Sequence, residues 1–366
     1  MRAALAVLFS VSAFAQPDPL FTYANVPWFN DASYVLELPG QWYLKNQGTP
    51  WILRQNGNVV QTLDGGNYDI GWSEQDSGGV IVGIVDSGAD QHADLRPFME
   101  PVAAGDGHGT GMAGIVAAIR GNAVGMAGVC NANLLVVGTD WTVPAVARGI
   151  EHCATSGVRV LLLAWGTSFP DTALSNACWL AYEKDVFIVA ATLNIDADLY
   201  ANPDYPLWYH IPSVLAVSAA NQFGGRYIGC SGTNVLIAPG RGIVRTKGTN
   251  QYCYANGTSD AAAITAGVAS IVAARFPNQN AEALREVLLT ASTPVVGVRG
   301  RLSMTSLFTS PIPVVIAGDE VKVVGLSKWK YVLEHSLNLT TWQDYGVVLG
   351  GESLPAVEGF YRARIL

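Results

Sequence analysis

Three short blocks of the sequence carry side chains suited to acyl transfer, each set among small residues. They read Ile84-Val85-Asp86-Ser87-Gly88, Gly105-Asp106-Gly107-His108-Gly109-Thr110-Gly111 and Asn256-Gly257-Thr258-Ser259-Asp260-Ala261. A serine hydroxyl is a weak nucleophile until a base takes its proton. A histidine can take that proton and return it to a leaving amine, while a carboxylate holds the imidazole's tautomer and stabilises its charged form. Asp86, His108 and Ser259 supply these three groups in the chain order Asp…His…Ser, and no G-x-S-x-G elbow offers a competing nucleophile. Taken singly, Asp86 also reads as the cap of a strand turn and His108 as a satisfied core histidine. No H-E-x-x-H or other close ligand pair points to metal-assisted hydrolysis.

The elements that must position these groups are legible between residues 79 and 292. Unalternated apolar runs stand at 80–85, 134–137, 158–163, 186–190 and 214–217, as strands buried on both faces require. Between and after them the pattern predicts helices over 109–119, 143–155, 171–184, 259–275 and 280–291. Such alternation predicts an α/β fold: a mainly parallel sheet with helices on both faces. Asp86 then sits at the carboxyl edge of a strand, where open α/β sheets bind ligands, and His108 and Ser259 stand at the mouths of small-residue helices. Past Pro311-Ile-Pro313 the texture changes to apolar–polar alternation, predicting a small all-β C-terminal module.

Composition narrows the class. Of 366 residues, 21 are basic and 29 acidic, a net charge of −8 that argues against a sequence-wide nucleic-acid footprint. Half the residues are hydrophobic, which excludes wholesale disorder. The mean hydropathy of +0.26 is high enough to call for a search for an export or membrane segment. Residues 1–15, MRAALAVLFSVSAFA, have the positive start, apolar stretch and A-x-A end of a cleaved signal peptide. The expectation is a secreted or periplasmic protein with no membrane partner after cleavage. Export permits disulfides, and in a strand–helix–strand crossover Cys130 and Cys153 come close enough to pair. Cys230 with Cys253 is a second pairing, and Cys178 shares the inner face of a helix with Leu174, Ala177 and Ala181. His92, His152, His210 and His335 lack any motif and read as structural.

With these blocks in order, the chain resembles the subtilisin-like serine peptidases (subtilases) over roughly residues 40–292. The resemblance rests on the three blocks, on His92-Ala93-Asp94-Leu95, Ala164-Trp165-Gly166 and Val189-Ala-Ala-Thr-Leu193-Asn194, and on Tyr205-Pro206 and Ala238-Pro239-Gly240. It implies an exported serine endopeptidase acting on protein or peptide substrates through an acyl-enzyme on Ser259, with no cofactor required for catalysis. It makes Asn194 the side-chain oxyanion donor, and places Ala164, Trp165, Gly166 and Leu193 along the substrate cleft. It also suggests a structural calcium held by Asp94 and Asn122. The implied division is a signal at 1–15, a short extension at 16–40, a catalytic domain at 41–309 and the β module at 310–366. The 25 residues of the extension are too few for the folded prodomain usual in the family.

Departures from the family pattern matter as much. Asp260 follows the nucleophile where the family has a small or apolar residue, and Ala263 stands where it has proline. A carboxylate in a helix's first turn suits the macrodipole, yet a negative charge beside an oxyanion hole opposes the anionic intermediate. Leu193 replaces a glycine, so the primary pocket is expected to be short and to prefer small apolar residues. These departures leave an alternative: a catalytically weak binding or scaffold protein on the same fold.

Overall fold

The computed structural model describes residues 18–22, 24–27, 31–38, 40–72 and 77–309, with strands between 314 and 365. The expected signal peptide at 1–15 lies outside the described residues. A four-residue helix α1 (Pro19–Thr22) precedes an antiparallel sheet of β1 (Ala24–Pro27), β2 (Tyr34–Leu38), β3 (Trp51–Gln55) and β4 (Asn58–Leu63). Trp42 and Trp51, both fully buried, stack at 5.4 Å where the chain leaves β2 and enters β3.

The site rests on a nine-stranded sheet. In chain order its strands are β5 (Ile81–Asp86), β6 (Asn133–Gly138), β7 (Val160–Leu163), β8 (Phe187–Ala191), β9 (Val214–Ala220), β10 (Arg226–Ile228) and β11 (Gly232–Pro239). A hairpin of β12 (Ile243–Lys247) and β13 (Gln251–Ala255) stands apart, and β14 (Thr293–Val295) and β15 (Val298–Arg301) complete the edge. Pairing runs β14-β15-β11-β9-β8-β7-β5-β6, parallel from β15 to β6, with β10 and β14 antiparallel additions. Val160–Leu163, Phe187–Ala191 and Val214–Ala220 are buried along their whole length, the reason their sequences do not alternate. Chain order reverses beside β5, with β6 on one side and β7 on the other, so the crevice at this switch point opens beside Asp86.

The helices are α2 (His108–Ala117), α3 (Val143–Thr155), α4 (Thr172–Glu183), α5 (Thr258–Arg275), α6 (Ala281–Thr290) and α7 (Met304–Thr309). The pairs α2–α5 and α3–α4 pack closely. Both helices that carry site residues are made of Gly, Ala, Thr, Ser and aliphatic residues and are buried over most of their length, so no polar face marks them. Caps fix two others: Asp171 accepts from Leu174 N at α4, and Asn280 from Ala283 N at α6. Past residue 313 the described strands form two three-stranded antiparallel sheets, 314–317 with 320–323 and 353–355, and 343–349 with 330–336 and 360–365.

The expected disulfides are not formed. All five cysteines are free and buried. The thiols face different neighbours: Cys130 donates to the Val116 carbonyl of α2 at 3.2 Å, while Cys153 of α3 packs over Gly83 of β5. The crossover argument did not decide which neighbours each side chain faces. Cys230 and Cys253 are unpaired likewise, and Cys178 lies fully buried, as the helical periodicity requires.

Candidate active site

Asp86 ends β5, fully buried, and its backbone carbonyl accepts from Thr139 N at 2.7 Å. Its carboxylate accepts from Ser87 N at 2.8 Å and meets His108 Nδ1, 2.9 Å from each oxygen. His108 opens α2, its own N–H donating to Asp106 Oδ1. The helix can approach this closely because residue 109 is glycine: a Cβ there would stand 2.2 Å from the Gly88 carbonyl and 3.1 Å from the Asp86 side chain. Nδ1 therefore carries the proton given to Asp86, and Nε2 is left as the basic nitrogen. Burial pulls the imidazole's pKa down, but Asp86 outweighs it and the net shift is upward. Trp141 stands edge-on to the ring at 5.9 Å.

Ser259 is the second residue of α5, which packs on α2. Among the described residues no hydrogen bond joins it to His108, a contact that commonly tightens only when substrate binds. Asn194 follows β8 and is tied to the same helix mouth. Its Oδ1 accepts from Thr258 N at 2.9 Å and lies 3.1 Å from Thr258 Oγ1. A backbone N–H must meet an oxygen, so the orientation of the amide is settled and Nδ2 is the atom left to donate beside Ser259. Thr258 Oγ1 in turn donates to the Thr192 carbonyl at 2.6 Å, fastening β8's end to the helix start.

Asp260, the suspected hazard, is fully buried and bonded to Arg245 Nη1 at 3.2 Å. Arg245 comes from β12, which is latched to α2 by Thr246 Oγ1 donating to the Thr110 carbonyl at 2.6 Å. The negative charge beside the nucleophile is therefore offset by a buried guanidinium, which sequence reasoning did not find.

Of the cleft residues, Ala164 is buried, and Trp165, Gly166 and Leu193 are half-buried at the ends of β7 and β8, which are adjacent strands. The Thr167 and Tyr205 backbones bond reciprocally, at 3.0 and 2.8 Å, and bring in Asp204. Asp204 accepts from Leu193 N at 2.8 Å, and its other oxygen abuts Gly166. Sequence reasoning noted Tyr205-Pro206 and passed over the aspartate before it.

Asp94 and Asn122 are brought together in a direct hydrogen bond. Asn122 Oδ1 accepts from Val124 N, which turns its Nδ2 to donate to Asp94 Oδ1 at 2.9 Å. Asp94 Oδ2 accepts from Met126 N at 2.9 Å and Tyr252 O–H at 3.1 Å. Three donors occupy the carboxylate, and burial together with the nearby Asp18 charge raises its pKa to about 6. No group of three or more His, Cys, Asp or Glu placed to hold a metal occurs among the described residues. His92 is structural here too, with Nδ1 accepting from Asp94 N and Nε2 facing the Gln251 carbonyl at 3.0 Å.

The chain is similar to known proteins. The chain is 30% identical over 231 residues to alkaline elastase YaB of Bacillus sp., covering 59% of this chain and 60% of that protein. It is 32% identical over 232 residues to subtilisin DY of Bacillus licheniformis, covering 58% of this chain and 84% of that one. A solved protease of Pseudoalteromonas arctica, 20% identical, shares the fold with a TM-score of 0.61 over 73% of this chain and 96% of its own. The model of the subtilase family matches residues 77–307, well over half of the sequence and all of the site residues named above. The chain belongs to the subtilase family of peptidases.

Proposed function

We propose that the chain is an exported serine endopeptidase that hydrolyses protein or peptide substrates through an acyl-enzyme on Ser259. The observation that carries this reading is the Asp86–His108 contact, 2.9 Å from Nδ1 to each carboxylate oxygen, set beside the helix mouth that holds Ser259. In the proposed reaction His108 Nε2 takes the Ser259 proton as Oγ attacks the scissile carbonyl, and Asp86 stabilises the imidazolium that forms. Asn194 Nδ2 and the Ser259 N–H donate to the oxyanion, a contribution of roughly 3–4 kcal/mol for one such side-chain donor. His108 then protonates the leaving amine, and water repeats the sequence to release the acid. Export rests on the leader read at residues 1–15. No described helix is long and apolar enough to cross a membrane.

A fluorophosphonate probe should label the native chain, and Ser259→Ala should abolish labelling and lower peptide turnover by about a million-fold. A well-folded native chain that takes no label at Ser259 would favour the scaffold alternative. Because the His108 pKa is raised and the reaction needs the neutral imidazole, the acid limb of kcat/KM should lie above the ordinary histidine value of 6.5.

A further inference from the structure

The two oxygens of Asp204 are treated unequally. The residue is fully buried. Oδ2 accepts the Leu193 N–H at 2.8 Å, while Oδ1 has no hydrogen-bond partner among the described residues. Oδ1 fills the place of a missing side chain, since a Cβ on Gly166 would stand 2.3 Å from it. Residue 166 must therefore be glycine, because the carboxylate oxygen takes the space a larger side chain would need. Among the described residues no cation is seen to offset its charge. Burial alone pushes this carboxyl up, to about 7, against the Leu193 bond.

Position gives the orphan oxygen its meaning. Residues 164–166 leave β7 and residues 192–194 leave β8, and these strands are neighbours. Asp204 lies between the two segments, touching Leu193 of one and Gly166 of the other. Leu193 adjoins Asn194, which is bonded to Thr258, the residue before Ser259. A side chain entering between these walls from a scissile bond at Ser259 would approach Oδ1.

We propose that Asp204 determines specificity, receiving the terminal cation of a lysine or arginine on the acyl side of the scissile bond. This rests on the serine-peptidase reading. An apolar side chain would leave Oδ1 unpaired and an acidic one would be repelled, whereas an ammonium or guanidinium satisfies both the oxygen and its charge through a charge-assisted bond. The proposal replaces the expectation of a small apolar residue: Leu193 narrows the cleft around a slim alkyl stem rather than closing it. The Leu193 N–H needs only an acceptor, which an amide oxygen would provide, so holding that segment does not account for a charge at this position.

That distinction supplies the test. Asp204→Asn keeps an acceptor for Leu193 and removes the charge. Peptide p-nitroanilides differing only in a Lys, Arg, Leu or Phe before the scissile bond would be compared, with active sites counted by fluorophosphonate titration. The native chain should favour Lys or Arg over Leu by ~10-fold or more, and Asp204→Asn should cut that ratio by ~10- to 100-fold at an unchanged active-site count. A native chain preferring Leu or Phe, or a variant slowed equally on all four substrates, would overturn the assignment. If the variant does not fold, the native ratio decides alone. Labelling at Ser259 without a basic preference removes this inference only, whereas no labelling removes the peptidase reading and this inference with it.

Discussion

Two buried aspartates lie near the candidate site, and the fold pairs one of them with a cation. Asp260, in the first turn of α5, faces Arg245 at 3.2 Å with side-chain exposures of 2% and 4%. Asp204, between the ends of β7 and β8, receives one backbone N–H and, among the described residues, no cation. Burial raises both carboxyl pKa values, opposed at Asp260 chiefly by the Arg245 charge and at Asp204 by a single hydrogen bond. The Cys230 thiol, pushed up to about 11 chiefly by burial, senses the Asp204 charge but cannot offset it. A charge that the fold pairs internally serves packing and positioning. One left with an empty acceptor site at the wall of a cleft is suited to a partner that arrives with substrate.

The comparison breaks most visibly if the paired side is unpaired. Arg245→Met leaves Asp260 as a lone buried carboxylate beside the nucleophile, and should cost about 3–5 kcal/mol in urea unfolding. Arg245→Met/Asp260→Leu, which removes both charges, should recover most of that loss. The electrostatic readout is separate: Asp260 raises the His108 pKa and Arg245 lowers it, so the single variant should move the acid limb of kcat/KM to higher pH. A single variant as stable as the native chain, with an unmoved acid limb, would show that the ion pair does not offset Asp260.

Arg245 also marks where sequence reading stops. The sheet and its five main helices were legible because their residues form long unalternated runs or small-residue helical stretches, and the helices predicted at 143–155 and 259–275 match α3 and α5 to within a residue. Asp86 and His108, which the fold brings to 2.9 Å of each other, were singled out because each sits in its own motif. Arg245 sits in none: its pairing depends on the β12–β13 hairpin folding back onto α2, a non-local event with no local signal. The N-terminal sheet did carry a signal that was overlooked. Asn56-Gly57, both with positive φ, is the turn chemistry of a tight hairpin and joins β3 to β4. The cysteines show the opposite error: a crossover was read as a pairing, whereas Cys130 faces α2 and Cys153 faces β5.

A smaller effect sharpens the unpaired side. Asp204 titrates near 7 in the fold against an ordinary 3.8. Between those values the folded chain holds a proton that the unfolded chain has released, so this group's contribution to stability is full below about 4 and is lost as pH rises through about 7. Asp204→Asn should therefore be more stable than the native chain at neutral pH, with the difference shrinking toward pH 4. Melting both proteins across that window would check this. A difference that does not vary with pH would mean that Asp204 already has a partner in solution, and the contrast with Asp260 would collapse.

The smallest expected effect concerns a third buried carboxylate, Asp94, which resolves its burial in another way. Among the described residues, Asn122 Nδ2, Met126 N and Tyr252 O–H occupy its two oxygens. Burial raises the Tyr252 hydroxyl pKa, and the Asp94 charge raises it further, so it remains a donor at any ordinary pH. For an ion to enter, Asn122 would have to turn its amide, giving up both the Asp94 bond and the Val124 bond that fixes its Oδ1. A calcium ion present at a hundred times its Kd would add about 2.7 kcal/mol, several degrees in Tm for a domain of this size. EDTA should instead leave Tm unchanged, and added calcium should not raise it. A fall in EDTA that calcium reverses would show that the three donors reorganise around an ion, placing Asp94 with Asp204 among the carboxylates that wait for a cation.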